Sequence, residues 1–288
     1  RCSMHSGLLI YKIDDYIKNK WFAEQFIKNG YRHNLDINLC FVEDLSLVIE
    51  NGRLFVYRKG EQIPQPDFII NRSRNSQVSL HFELMGCRVF NNSRVTEICN
   101  NKAKTHQIIN SYGIQSVKTA ISFNEEHTIL NYPIILKTNA GHGGTEVYKV
   151  HNRGELLNYY KHYKQGDIIL QEICDNPGVD VRVFVMGGEI IGAVKRYSDK
   201  DFKSNFSLGG NAERYSLNQS QRNIVNKIGQ ILNFDFVGID FLINSNGEFL
   251  FNEIEDAVGT RTLYQQYDFD VVQMYLEYIA NQLNFNKE

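Results

Sequence analysis

The dipeptide Asn246-Gly247 constrains the fold of this chain more than any other feature, because it separates two apolar runs in the manner of a β-hairpin turn. A two-residue turn fixes the register of the strands on either side of it. Counting outward from the turn places Asp240 directly opposite Glu253, with Glu255 two residues further along the same face. The sequence therefore predicts three carboxylates that converge on one face of an antiparallel strand pair.

These facing acids need something that neutralises them. Like charges about 5 Å apart destabilise a sheet, and carboxylate oxygens suit Mg²⁺, which commonly bridges protein carboxylates and substrate phosphates. We therefore hypothesise a nucleotide–metal site, and the alternative is a solvated acidic face. The same count puts Phe249 and Phe251 on the carboxylate face, which favours an enclosed site. It also predicts that removing one facing carboxylate stabilises the ligand-free protein slightly.

A second hairpin is predicted at Gly187-Gly188. The count from this turn places Asp180 opposite Lys195, with Arg182 beside Asp180 on the same face. Mixed charges in such a pattern have two interpretations. They form an exposed ladder of salt bridges, which stabilises a protein little, or they belong to the same site as the acidic hairpin.

A glycine-rich segment, residues 141–144, follows a predicted strand that carries Lys137. The backbone amides of a Gly-rich turn can approach a phosphate closely while a lysine supplies positive charge. The segment is not a Walker A loop, since neither Lys-Ser nor Lys-Thr follows the glycines. A flexible hairpin tip is the alternative interpretation.

Composition excludes several classes of protein. A length of 288 residues predicts two domains, or one large body with a subdomain. The net charge of −2 provides no global basic field for nucleic acid or anionic lipid. The five cysteines include no Cys-x-x-Cys pair, which argues against a disulfide framework and a zinc knuckle. Without an apolar run of about 20 residues, we expect a cytoplasmic protein.

The pattern of elements predicts an α+β fold. The first third is a small α/β unit, and a helical pattern from Val95 to Tyr112 leads to a second body. In that body, short strands with tight hairpins alternate irregularly with helices, unlike a uniform βαβ repeat.

Seven short motifs, taken in their order along the chain, resemble the ATP-grasp superfamily and most closely its RimK-like carboxylate–amine ligases. The most specific is the string from Asp201 to Asn205, which is similar to the family's Asp-Phe-Arg-Ser-Asn. The motifs are Asn101-Lys102, Lys137 with its Gly-rich loop, Gln171-Glu172-Ile173, Asp180-Val181-Arg182, Asp201-Phe202-Lys203-Ser204-Asn205, Gly238-Ile239-Asp240 and Asn252-Glu253-Ile254-Glu255.

The resemblance implies an ATP-grasp fold with a pre-ATP-grasp α/β domain over residues 1–94 and an ATP-grasp domain over residues 95–288. The latter comprises a lid, roughly residues 113–171, and a C-terminal body. The implied activity is ATP-dependent formation of an amide or peptide bond through an acyl phosphate, on an amino acid or peptide. The implied cofactors are ATP and one or two Mg²⁺ ions, with Mn²⁺ as a substitute. Partners would be a carboxylate and an amine, with neither nucleic acid nor membrane, and a homo-oligomer is left open.

The resemblance also implies roles for individual residues. Lys102 and Lys137 would hold nucleotide phosphates, Glu172 and Ile173 would meet the adenine, and Asp180 would lie near the ribose. The full set of candidate nucleotide-binding residues is Lys102, Lys137, Gly143, Gly144, Glu172, Ile173, Asp180, Lys203, Ser204 and Asn205. The candidate metal ligands are Asp240, Glu253 and Glu255. The candidate catalytic residues are Arg182, Arg196, Lys203, Asn205 and Arg261, with Arg72 and Arg74 reaching in from the first domain.

Two residues depart from the family pattern. Glu255 replaces an Asn ligand and adds a negative charge, and Lys203 replaces an Arg, exchanging a bidentate fork for a point charge. Two alternative functions therefore stay open: a peptide-tailoring macrocyclase of the same superfamily, and an ATP-binding regulatory protein without turnover.

Overall fold

A computed structural model describes residues 3–123, 128–164, 166–198 and 211–285, which form four sheets and nine α-helices. Lys203, Ser204 and Asn205 lie outside the described residues. Within them, no helix is long and apolar enough to cross a membrane. The mixture of sheets and helices confirms the predicted α+β class.

The first sheet is parallel, with strand order β2-β1-β6-β7. Its first strand contains three consecutive buried residues, Leu9, Ile10 and Tyr11, as expected for a parallel sheet that is covered on both faces. Two helices that meet at Asn19 follow this strand. The elements of this unit are β1 (His5–Tyr11), α1 (Ile13–Lys18), α2 (Lys20–Asn29), β2 (Leu35–Phe41), β6 (Phe68–Asn71), α3 (Ser76–Leu84) and β7 (Arg88–Phe90).

A three-stranded antiparallel sheet is inserted in the chain between β2 and β6 of the parallel sheet. Two helices then lead away from the parallel sheet in place of the single helical pattern that the sequence predicts up to Tyr112. These elements are β3 (Leu45–Glu50), β4 (Arg53–Arg58), β5 (Glu61–Gln62), α4 (Ser93–Cys99) and α5 (Lys102–Ser111).

Two further antiparallel sheets follow, with strand orders β10-β9-β11-β8 and β14-β13-β12-β15-β16. We call them the small sheet and the body sheet. The small sheet contains β8 (Thr119–Ala120), β9 (Ile134–Thr138), β10 (Val147–Val150) and β11 (Ile168–Glu172), with α6 (Arg153–Tyr160) against it. The body sheet contains β12 (Val179–Met186), β13 (Glu189–Tyr197), β14 (Asn211–Arg214), β15 (Phe236–Ile243) and β16 (Phe249–Glu255). The remaining helices are α7 (Gln219–Leu232), α8 (Arg261–Gln266) and α9 (Val271–Phe285).

The hairpin of β15 and β16 has the predicted register at its acids but not at its turn. Asn244 and Glu248 flank a three-residue turn in which Gly247 has a φ of +78°, so the pairs near the turn are displaced by one residue. A β-bulge at Asn252 restores the count, and Asp240 pairs with Glu253 as predicted. The two deviations cancel.

The bulge also reverses the faces on its turn side, which corrects one prediction. Phe249 and Phe251 do not share the carboxylate face. They pair with Ile243 and Phe241 and pack on the opposite face, in the core that includes Val225 of α7. The acids are enclosed by charged partners instead.

The hairpin of β12 and β13 has the predicted two-residue turn, but its register changes further out. A bulge at Ile191 shifts every later pair by one residue, so Asp180 lies opposite Arg196 rather than Lys195. The prediction of Lys195 was therefore wrong, because a register counted from a turn holds only as far as the first bulge.

Asn91 links the parallel sheet to the body sheet. Its buried side-chain oxygen accepts hydrogen bonds from the backbone N–H groups of Asp235 (2.6 Å) and Phe236 (3.0 Å). Its amide nitrogen donates to the carbonyl oxygens of Phe236 (2.8 Å) and Asp256 (3.3 Å). One side chain thus satisfies four backbone groups at the start of β15 and the end of β16.

Replacement of this side chain is expected to lower the stability of the whole chain. Asn91→Ala leaves buried backbone groups without partners, and we expect the free energy of unfolding to fall by about 2–4 kcal/mol. Urea unfolding measures the change. Asn158→Ala, at an exposed position of α6, is the matched control and should change stability by less than about 0.5 kcal/mol. Equal stability of the two variants would contradict this role for Asn91.

Candidate active site

Three carboxylates converge on one face of the body sheet, as the hairpin count predicts. Oxygen atoms of Asp240, Glu253 and Glu255 lie within 4.8 Å of one another. Asp240 is on β15 and only 1% exposed, while the two glutamates are on the neighbouring strand β16 and are partly buried. The absence of a side chain at Gly238 lets Val258 pack against β15, because a Cβ there would lie 2.4 Å from Val258 Cγ2.

Arginines from the adjacent strands neutralise these acids. Arg182 lies opposite Asp240 and binds both of its carboxylate oxygens, through Nε (2.7 Å) and Nη2 (2.8 Å). The same Nη2 lies 3.1 Å from Glu255 Oε1. Arg196 binds both oxygens of Asp180 (2.8 and 2.5 Å) and reaches Asp240 Oδ2 (3.2 Å). The face of the sheet therefore carries a continuous network of ion pairs.

Two lysines approach the network from outside the body sheet. Lys102, the first residue of α5, donates from Nζ to Glu253 Oε2 (2.9 Å) and to the carbonyl oxygen of Gly141 (2.5 Å). Lys137 on β9 donates from Nζ to Asn252 Oδ1 (2.8 Å). Sequence reasoning gave Asn252 no role, since only the bulge turns its side chain toward the small sheet.

The opposed charges change the protonation behaviour of the cluster. Burial would raise the pKa of Glu253, but Lys102 and Lys137 lower this pKa to about 2. Burial raises the pKa of Glu255, although Arg182 opposes the shift. Burial lowers the pKa of Lys137 to about 8. Glu253 is therefore ionised throughout the neutral pH range, and its charge is available to a cation.

The described candidate residues other than Asp240 line two adjoining cavities, and Arg196 lines both. The inner cleft lies between the small sheet and the body sheet. Its walls include the predicted residues Lys102, Lys137, Gly144, Glu172, Ile173, Asp180 and Glu253. The second cavity has a volume of about 740 Å³ and includes Gly143, Arg182, Glu255 and Arg261. We call it the outer cavity.

Arg72 and Arg74 reach this region from the parallel sheet, as predicted, but they hold the backbone of the loop after Glu255. Arg72 Nη2 donates to the carbonyl oxygen of Val258 (2.9 Å), and Arg74 Nη2 donates to that of Ala257 (3.3 Å). Arg74 Nη1 also pairs with Asp15 at 3.1 Å. Both arginines line the outer cavity.

The chemistry of these donors fits a hydrated divalent cation beside a polyphosphate. Carboxylate oxygens are the ligands that Mg²⁺ prefers, and the three that converge here all belong to one rigid hairpin. Lysine ammonium groups bind phosphate as point charges, and Lys102 and Lys137 both face the acids. The residues present therefore fit both groups.

Solved structures with the same architecture are ATP-grasp ligases. VanG D-Ala:D-Ser ligase from Enterococcus faecalis has a TM-score of 0.74 at 17% identity, covering 96% of this chain and 99% of that one. The ligase PsnB, solved with a phosphomimetic variant of its minimal precursor, Mg and ADP, has a TM-score of 0.68 at 15% identity and covers 98% of both chains. The predicted ATP-grasp fold is confirmed.

Sequence comparison gives the family. The sequence profile of the RimK-like ATP-grasp domain matches residues 99–279, and the chain belongs to this family. Beta-citrylglutamate synthase B from Mus musculus is 26% identical over 98% of this chain and 79% of its own length. Human N-acetylaspartylglutamate synthase A is 29% identical over 77% of this chain and 59% of its own length. The predicted class, an ADP-forming, ATP-dependent carboxylate–amine ligase, is confirmed.

The ion-pair network reverses one expectation from the sequence, which was that loss of a facing acid stabilises the protein. Asp240→Asn would leave Arg182 and Arg196 with excess buried charge. We expect the free energy of unfolding of the ligand-free protein to fall by about 3–5 kcal/mol. Urea unfolding is the measurement, with Asp36→Asn at an exposed position of β2 as the control. A variant at Asp240 as stable as the wild type would contradict the pairing.

Proposed function

We propose that this protein joins a carboxylate to an amine through an acyl phosphate, using the ion-pair network between the two cavities as its reaction centre. The observation that carries the proposal is the convergence of Asp240, Glu253 and Glu255 with Lys102 and Arg182 at one point. Opposite charges gathered in this way suit a reaction whose main requirement is to position and neutralise phosphates.

The reaction needs ATP because a carboxylate is a poor electrophile whose leaving group would be oxide. Transfer of the γ-phosphoryl group to a carboxylate oxygen releases ADP and gives an acyl phosphate. The amine then attacks the carbonyl carbon, the C–O bond to phosphate breaks, and the nitrogen loses a proton. Because the intermediate hydrolyses readily, the site must exclude water.

We assign the nucleotide to the inner cleft. Lys102 and Lys137 would hold the phosphates, and the backbone of Gly144, which lines the same cleft, would assist them. Glu172 and Ile173, where β11 ends, would meet the adenine edge. Asp180 would lie near the ribose, held in place by Arg196.

Charge balance supports two magnesium ions per nucleotide. In the network, Lys102, Lys137, Arg182 and Arg196 balance Asp180, Asp240, Glu253 and Glu255. ATP with two Mg²⁺ ions adds no net charge to this neutral cluster, whereas ATP alone adds four negative charges that burial disfavours. Mg²⁺ held by the three acids would neutralise the negative charge of the phosphates. Mn²⁺ prefers similar ligands and would substitute.

The outer cavity would hold the reacting substrates. Arg182, Arg196 and Arg261 line it and would bind the substrate carboxylate or the acyl phosphate. Lys203, Ser204 and Asn205 keep the role of contacting the transferred phosphate, which rests on the family resemblance alone. The proposed domains are residues 1–94 and 95–288, with the lid over residues 113–171.

The test is a search for ADP formation over paired carboxylates and amines, including free amino acids and short peptides. Lys137→Ala should abolish ADP formation, because Ala supplies no charge to a buried phosphate. Lys149→Ala, at an exposed position on the same small sheet, should retain it. ATP binding without ADP formation on any pair would favour a regulatory protein instead.

Glu255 gives a prediction about metal dependence. A third anionic ligand repels the triphosphate when a metal position is empty, so ATP affinity should rise steeply with Mg²⁺ concentration. Glu255→Asn keeps one oxygen ligand and should flatten this rise several-fold. Calorimetric titration of ATP at several Mg²⁺ concentrations measures both forms, and Glu248→Asn at the exposed turn of the same hairpin is the control. Superimposable curves would show that Glu255 does not act on the metals.

A further inference from the structure

The outer wall of the outer cavity carries a fixed pair of aromatic side chains. Trp21 on α2 is the single tryptophan of the chain and is 57% exposed. Its ring meets the ring of Tyr264 edge-on, with 5.2 Å between centroids. The Tyr264 hydroxyl donates to Asp270 Oδ1 (2.8 Å) and accepts from the backbone N–H of Val272 (3.2 Å). The tyrosine is therefore held in place, and more than half of the tryptophan surface remains exposed.

Two further apolar side chains are exposed on α1, the helix that precedes Trp21. Ile17 and Ile13 precede Trp21 at four-residue intervals and are 66% and 39% exposed. Single exposed apolar side chains are ordinary. Trp21 and Tyr264 differ from these, because both line a cavity that Arg182 and Glu255 also line, so an aromatic wall and the charged groups share one cavity.

The wall of the outer cavity also carries two exposed cations. Lys18 and Arg261 line the same cavity and are exposed, and neither forms an ion pair with any described residue. Asp15, another residue of this wall, is already paired with Arg74. The cavity thus offers free positive charge for carbonyl or carboxylate oxygens next to an apolar surface.

We propose that Trp21 and Tyr264 form a subsite for an apolar side chain of a peptide substrate whose reacting group lies beside Arg182. The proposal rests on the ligase function proposed above. A cavity of about 740 Å³ belongs to the size range that encloses ligands much larger than one amino acid. Rigid aromatic side chains at the wall of such a cavity are the usual anchors for binding.

The fluorescence of Trp21 reports binding at this subsite, because no other tryptophan contributes to the emission. The probes are Phe-Ala-Ala, Ala-Phe-Ala, Ala-Ala-Phe and Ala-Ala-Ala, titrated without ATP. At least one Phe peptide should shift the emission of Trp21 and bind about tenfold more tightly than Ala-Ala-Ala, as expected for burial of one aromatic side chain. Equal affinities for all four peptides, or no binding, would overturn the subsite.

Matched variants separate recognition from folding. By calorimetry, Trp21→Ala should lose the preference for the Phe peptide, and Trp21→Phe should keep most of it. Ile49→Ala removes another exposed apolar side chain, on β3, and should leave the preference unchanged. Loss of the preference in Ile49→Ala would overturn the assignment to Trp21.

Peptides with one blocked terminus show whether the bound peptide supplies the carboxylate or the amine. Tighter binding of the N-acetylated than of the C-amidated peptide would identify the peptide as the carboxylate donor, and the reverse as the amine acceptor. Binding at Trp21 without ADP formation would support the subsite and contradict the ligase function. ADP formation from free amino acids, with no peptide bound at Trp21, would contradict only the subsite.

Discussion

The buried pairing of Arg182 with Asp240 is the interaction on which the rest of the site depends. Removing two charges from water costs several kcal/mol each, and a single pair rarely recovers that cost. Here Arg196, Asp180 and the β16 glutamates extend the pair into a network in which buried charges have partners. Such a network fixes the positions of the acids and bases to which we assign the cation and the phosphates. It also keeps the cluster neutral before any ligand arrives.

Two β-bulges decide which side chains enter that network. At Asn252 the bulge compensates for a longer turn, so that the carboxylates face the cleft and the phenylalanines face the helices. At Ile191 the bulge brings Arg196, instead of a lysine, opposite Asp180. An arginine binds a carboxylate through two parallel hydrogen bonds. The bulge thereby replaces a point contact with a bidentate one at the boundary between the two cavities.

The parallel sheet contributes to the site through backbone contacts. Arg72, Arg74 and Asn91 bind carbonyl oxygens in the segment that follows Glu255. This segment separates the three carboxylates from Arg261 and Tyr264 at the outer wall. Its position therefore couples the first unit of the chain to both the proposed reaction centre and the proposed peptide subsite.

The sequence by itself determined the α+β class, the family, and the convergence of Asp240, Glu253 and Glu255, because these follow from local turn chemistry, strand periodicity and short motifs. It also determined that Lys137 precedes a Gly-rich loop. Only the tertiary structure decided which cations neutralise the acids, since Lys102 and Arg182 are far from Glu253 and Asp240 along the chain. It alone placed Trp21 beside Tyr264. A bulge changes register without a signal that a count from the turn detects, and contacts between distant segments depend on how whole sheets pack.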